Sequence, residues 1–307
     1  MDMQAILVKV VSLIAVIVVG YILKRTGFFR PEDFRLIAGL VLKVTLPCAI
    51  ISNFTRIDVD FALFSLVILG ILCNWATIIA GWLASKRGDS AAQAFNIINF
   101  SGFNVGCFAL PFLQSFVGPV GVVAACIWDT GNSVMCTGAT YSIAAAVAGK
   151  NEHGGAKLFF KRMFCSVPMD TYLVMTLLAF VGWKLPSQLL VFTDMVGAAN
   201  PFLAMLMIGV GFELKLAPGS GLRILKTLCC RYLIAAALAY VFYNFLPFDA
   251  EVRKVLAILA FAPLSAVCAI YTALCLKDPR SVALSCTLNS ASIVVSVVFM
   301  TALVLWL

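Results

Sequence analysis

Apolar runs of spanning length recur along the whole chain, separated by short polar stretches. A bilayer-spanning helix needs about 20 mostly apolar residues. Ten such runs are read at 5–23, 34–52, 61–84, 93–116, 119–148, 163–183, 188–212, 223–246, 252–276 and 281–306. The pattern predicts an all-α polytopic membrane protein with ten transmembrane helices. The second run is the weakest, because Arg35 and Lys43 interrupt it. The first is longer than a signal-peptide core and its basic flank, Lys24 and Arg25, follows it, so it is read as a span.

Several runs carry residues that disfavour a continuous helix. The stretch 95–117, FNIINFSGFNVGCFALPFLQSFV, holds Asn96, Asn99, Asn104, Gly102, Gly106 and Pro111. Proline removes an N–H and crowds the carbonyl four residues back. In a bilayer such a break persists only inside protein or beside a wet cavity, and transporters build substrate sites from broken helices. Prolines recur as Pro47 in the second run, Pro111 in the fourth, Pro201 in the seventh and Pro263 in the ninth. The separations within the two halves are 64 and 62 residues. Two five-span halves, 1–148 and 163–307, joined by a polar connection at 149–162, therefore read as an internal repeat. Five is odd, so the second copy is inverted, with broken helices at spans 4 and 9.

Composition sharpens this picture. Charged residues make up 12% and hydrophobic residues 63%, against about a quarter charged in soluble domains. The net charge of +8 does not point to nucleic acid, since the basic residues fall between the apolar runs. Fourteen Lys and Arg lie in the odd-numbered connections and four in the even connections and termini. The positive-inside rule then places both termini outside the plasma (inner) membrane and the 149–162 connection in the cytoplasm. The 11 cysteines lie in apolar runs without a C-x-x-C, and the single histidine, His153, has no partner pattern. No disulfide frame, metal site or cofactor is expected.

Residues 20–54 (GYILKRTGFFRPEDFRLIAGLVLKVTLPCAIISNF), 103–112 (FNVGCFALPF) and 209–214 (GVGFEL) resemble the auxin efflux carrier family, which includes bacterial malate and malonate permease-like proteins. The resemblance implies a fold similar to bile-acid sodium symporters. Spans 1, 2, 6 and 7 would form a scaffold, through which a homodimer would associate, and spans 3–5 and 8–10 a transport domain. The short central connection favours the small-carboxylate side of the family.

Ionisable residues at membrane depth are functional candidates by default. Asp129 and Asn132 share a face of span 5, and Arg231 lies at similar depth in span 8, so the three are coupling candidates; an Asp129–Arg231 pair would either serve coupling or be purely structural. Lys43, Pro47 and Pro201 are expected to shape a cleft. The expected substrate contacts are Asn104, Gly106 and Pro111 in the first half, and Pro263, Ser265 and Asn289 in the second. No hydrolase, metalloprotease or P-loop motif occurs, so neither an enzyme nor a directly ATP-driven pump is expected. The expected function is secondary transport of small organic anions such as malate, malonate or an auxin-like carboxylate, proton-linked or potential-driven. The alternatives are a sodium-coupled symporter of bile-acid type, and a receptor or channel on the same scaffold.

Overall fold

A computed structural model describes residues 3–30, 32–58, 60–150, 166–183, 185–213 and 220–307. The 149–162 connection lies outside the described residues apart from Gly149 and Lys150, and His153 lies outside them too. The described chain is all-helical, with no strand and one isolated antiparallel bridge, Phe103 with Leu264.

The helices are α1 Met3–Arg25, α2 Asp33–Leu40, α3 Leu46–Phe54, α4 Ser65–Ala84, α5 Ser90–Phe100, α6 Leu110–Leu113, α7 Pro119–Val134 and α8 Thr140–Val147. They continue with α9 Val167–Val181, α10 Ser187–Gly197, α11 Asn200–Gly211, α12 Gly221–Phe245, α13 Ala250–Ala260, α14 Cys268–Leu276 and α15 Pro279–Trp306. Six helical stretches are long and apolar enough to cross a membrane: Met3–Arg25, Asp33–Phe54, Phe61–Ala84, Ser187–Gly211, Gly221–Phe245 and Pro279–Trp306. Leucines, valines and isoleucines on α1, α4 and α12 point outward, including Val8, Val11, Leu72, Ile79, Leu225 and Leu233. An outward apolar surface of this kind suits lipid rather than water.

Three of the four prolines do not unwind a helix. Pro47 and Pro111 are each preceded by a π-turn, Val41–Thr45 and Val105–Ala109. In both, the residue just before the proline donates to the carbonyl five residues back: Leu46 to Val41 and Leu110 to Val105. The extra residue in the turn carries away the carbonyl that the proline ring would crowd, and the helix continues. Pro201 sits in the first turn of α11, where its missing N–H costs nothing. Pro263 alone of the four lies in non-helical chain, between α13 and α14. The break in the fourth run comes earlier than Pro111, at Ser101–Asn104, where Gly102 has φ +79°. That left-handed conformation is accessible to glycine without a Cβ clash.

The helices pack as two groups. α1, α2, α3, α9, α10 and α11 associate mainly with one another, and α4, α5, α7, α8, α12, α13, α14 and α15 do likewise. Contacts between the groups run through α3 and α9 against α7, α11 against α6, and α1 against α15. Close helix approach occurs in both groups: Gly20 on α1 faces Gly209 on α11, and Gly70 on α4 faces Gly131 on α7. A Cβ at Gly131 would collide with the Val67 carbonyl oxygen. Small residues at such seams let close van der Waals packing substitute for the hydrophobic drive that lipid does not supply. Two partly exposed ion pairs join elements of the first group: Arg56 with Asp194 at 2.8 Å and Lys24 with Glu213 at 3.8 Å.

Candidate functional site

The two non-helical segments, Ser101–Asn104 and Phe261–Val267, meet in the interior of the second helix group. The backbone N–H of Asn104 donates to the Pro263 carbonyl at 2.9 Å, beside the Phe103–Leu264 bridge. Each break frees backbone groups that a helix would have paired. In hydrocarbon each unpaired group costs several kcal/mol, so side chains from elsewhere must meet them.

They do so on both sides of the crossing. Asn132 on α7 accepts from the Phe103 N–H at 3.1 Å and returns a hydrogen bond to its carbonyl at 2.9 Å. Asn74 on α4 accepts from the Gly102 N–H at 3.1 Å and donates to the Asn132 carboxamide oxygen at 3.1 Å. The second break is treated alike: Ser292 on α15 accepts from the Leu264 N–H at 3.1 Å, and the Ser296 hydroxyl donates to the Phe261 carbonyl at 2.6 Å. Tyr232 on α12 completes this side by donating to the Ser292 carbonyl at 2.7 Å.

Arg231 holds the two breaks together. Its guanidinium donates to the carbonyls of Phe100 and Gly102 on the first break, the latter at 2.7 Å, and reaches those of Ala262 and Pro263 on the second at 3.4 Å. Its plane lies 4.9 Å from the Phe103 ring centroid. Arg231 is 2% exposed. Phe100 and Ala260 end helices α5 and α13, whose C-termini are the negative ends of their dipoles, so the cation sits where the backbone field favours it.

The expected Asp129–Arg231 pair does not form. Among the described residues neither takes part in an ion pair with the other. Arg231 faces the crossing because four carbonyls demand a forked donor there. Asp129 faces the opposite helix group: its carboxylate accepts from the Asn132 amide at 2.7 Å and from the Tyr172 hydroxyl of α9 at 2.9 Å. Asp129 is 4% exposed. Gly106 belongs to this second cluster, since a Cβ there would stand 3.6 Å from both the Asp129 carboxylate and the Tyr172 hydroxyl. The Asp129–Tyr172 bond joins the two helix groups through a titratable side chain.

The remaining sequence candidates separate. Asn104 and Ser265 border the crossing, each 8% exposed, and the Asn104 side chain makes no hydrogen bond among the described residues. Asn289 on α15 has a buried carboxamide oxygen without a hydrogen-bond partner among the described residues. Pro111 lies beyond the π-turn, within a continuing helix, and Pro201 starts α11 beside the Thr45–Asn200 hydrogen bond of 3.0 Å. Lys43 is exposed on its π-turn. No group of three or more His, Cys, Asp or Glu side chains suited to a metal ion occurs among the described residues.

Sequence reasoning missed Asn74, Tyr172, Tyr232, Ser292 and Ser296. Asn74 carried a signal, a carboxamide in the middle of the apolar run LCNWAT, and so did the recurrent serines of the last span. Tyr172 carried none, because a tyrosine near a helix start reads as an interfacial anchor.

Residues 5–154 match the family described as "Membrane transport protein". An uncharacterized transporter of Methanothermobacter thermautotrophicus is 25% identical over 213 residues, covering 67% of this chain and 67% of that protein.

Proposed function

We propose that this chain, a membrane transport protein similar over its first half to the auxin efflux carrier family, moves small organic anions by alternating access around the crossed breaks. It is a transport protein and not an enzyme. The single observation that carries the substrate reading is the crossing itself. Two helices restart there, at Val105 and at Cys268, and present the positive ends of their dipoles where the unpaired Asn104 amide lies. A carboxylate is the chemistry those groups receive. The fold supports a reading in two inverted five-span halves, 1–148 and 163–307. Asn132 caps Phe103 from 29 residues downstream and Ser292 caps Leu264 from 28, the same device at equivalent places. In this reading α1–α3 and α9–α11 are the scaffold and the other group slides against it.

The test is a carboxylate screen by thermal shift on purified protein, followed by uptake into proteoliposomes. Malate, malonate and aromatic acetates are the first probes. A binding carboxylate is expected to raise the melting temperature of wild type, and Asn104→Ala to weaken its binding roughly tenfold, about 1.4 kcal/mol, with folded yield unchanged. No stabilisation and no uptake by any carboxylate would remove the anion assignment. Stabilisation without uptake would favour a receptor, and conductance far above carrier turnover a channel.

The orientation follows the bias of basic residues, with both termini outside. On a cysteine-free background, Asp2→Cys and Leu307→Cys are expected to react with impermeant maleimide on intact cells, and Asn151→Cys only after permeabilisation. Labelling of position 151 alone would invert the orientation. Labelling of one terminus without the other would break the count of ten.

A further inference from the structure

A cavity of about 550 Å³ opens between the ends of α4, α5 and α12 and is lined by Asn96, Phe100, Arg223, Lys226, Thr227 and Cys230, among others. All of its walls belong to one helix group, so it does not lie on the boundary where alternating access would open a path. Arg223 and Lys226 are exposed and stand one turn apart at the start of α12. Among the described residues neither is in an ion pair; Asp89, the N-cap of α5, acts on Arg223 only through space. The Arg223 guanidinium carbon lies over the buried Phe95 ring, 4.3 Å from its centroid. A guanidinium held over a ring can still offer its N–H fork to a bidentate acceptor.

We propose that this cavity binds the phosphate of an anionic phospholipid. Two cations in the first two turns of a membrane helix sit at headgroup depth, with the positive end of the α12 dipole beside them. Beside and below them the surface is apolar and outward-facing: Leu222, Leu225 and Leu233 on α12, Ile79 and Leu83 on α4. Acyl chains would lie along that face while the phosphate reaches Arg223 and Lys226. Trp82, with Lys86 at 5.6 Å over its ring, marks the same level at the end of α4, as an interfacial aromatic does. The bias of basic residues assigns this end to the cytoplasmic leaflet, where basic pockets between helices meet anionic headgroups. The site borders the crossing at Phe100, but among the described residues its two cations, Arg223 and Lys226, make no hydrogen bond to the broken segments, so lipid binding and substrate transport are tested separately.

The experiment is native mass spectrometry and thermal shift on the full chain in detergent. The probes are phosphatidylglycerol, phosphatidylcholine, soluble glycerophosphate and inorganic phosphate. Phosphatidylglycerol is expected to remain bound and raise the melting temperature, and phosphatidylcholine to do neither. Arg223→Gln with Lys226→Gln is expected to weaken phosphatidylglycerol binding roughly thirtyfold, and Lys226→Glu, which removes no packing, at least about tenfold. Arg25→Gln, an exposed residue at the end of α1, is expected to bind as wild type. Equal binding by wild type and Lys226→Glu would overturn the proposal. So would a full shift from glycerophosphate or inorganic phosphate, which would make the ligand a soluble anion.

Discussion

Arg231→Met is expected to remove most of the folded, monodisperse protein, and Arg231→Lys to recover only part of it. The side chain of Arg231 reaches four carbonyls on two separate helix breaks, at 2% exposure. Methionine fills similar volume but donates nothing, so those oxygens lose their donors in a region without water. Hydrogen bonds to charged groups are worth about 1.5–3 kcal/mol each, and unpaired groups in hydrocarbon cost several. A loss of at least about 4 kcal/mol follows, a large share of an ordinary domain's stability. Lysine keeps the charge but is a single point donor and cannot span both breaks as a planar fork does. Yield by fluorescence-detected size exclusion and melting temperature measure this. Wild-type values for Arg231→Met would show that the crossing is held by something else. A fully folded Arg231→Met protein that has lost transport would return Arg231 to a direct role in coupling.

Asp129→Asn is expected to fold normally and to lose accumulation driven by a pH gradient while retaining counterflow exchange of substrate. The substitution keeps the shape and one acceptor oxygen for the Asn132 amide, while the new NH2 can donate to the Tyr172 hydroxyl oxygen. It removes the exchangeable proton. We propose that this proton links the stroke to the pH gradient. Ionised, Asp129 accepts from both partners and ties α7 to α9; protonated, it loses acceptor capacity on one oxygen and becomes a donor itself. Sliding of one helix group past the other must break the Tyr172 contact, so proton occupancy and conformation are thermodynamically linked. Tyr172→Phe is expected to leave binding intact and shift the pH dependence of uptake, which a purely structural tyrosine would not do. Uptake driven by a sodium gradient alone, or gradient-driven accumulation by Asp129→Asn at fixed voltage, would sink the idea.

The two variants test different residues because the structure separates what depth alone had joined. From the sequence, Asp129 and Arg231 are two opposite charges at similar depth in an apolar chain, and pairing relieves the cost of each. Their depth was legible, since it depends only on counting residues from polar connections at 1.5 Å per residue. Their partners were not. Arg231 bonds Phe100 across 131 positions and Asp129 bonds Tyr172 across 43, and no local pattern encodes such contacts.

The run lengths of the chain determined that it is helical and apolar enough for membrane, where its helices lie, and that its fourth and ninth runs are irregular. These properties follow from local rules: hydrocarbon thickness, backbone satisfaction within a helix, and the conformational habits of glycine and proline. Only the tertiary structure decided where the irregularities fall. Pro47 and Pro111 stay in helices because a π-turn ahead of each absorbs the extra carbonyl, whereas Gly102 opens the chain because Asn74, Asn132 and Arg231 stand ready to bond what it exposes. A break in a bilayer exists where distant side chains satisfy it. Their identity lies in the packing of α4, α7 and α12, not in the stretch that breaks.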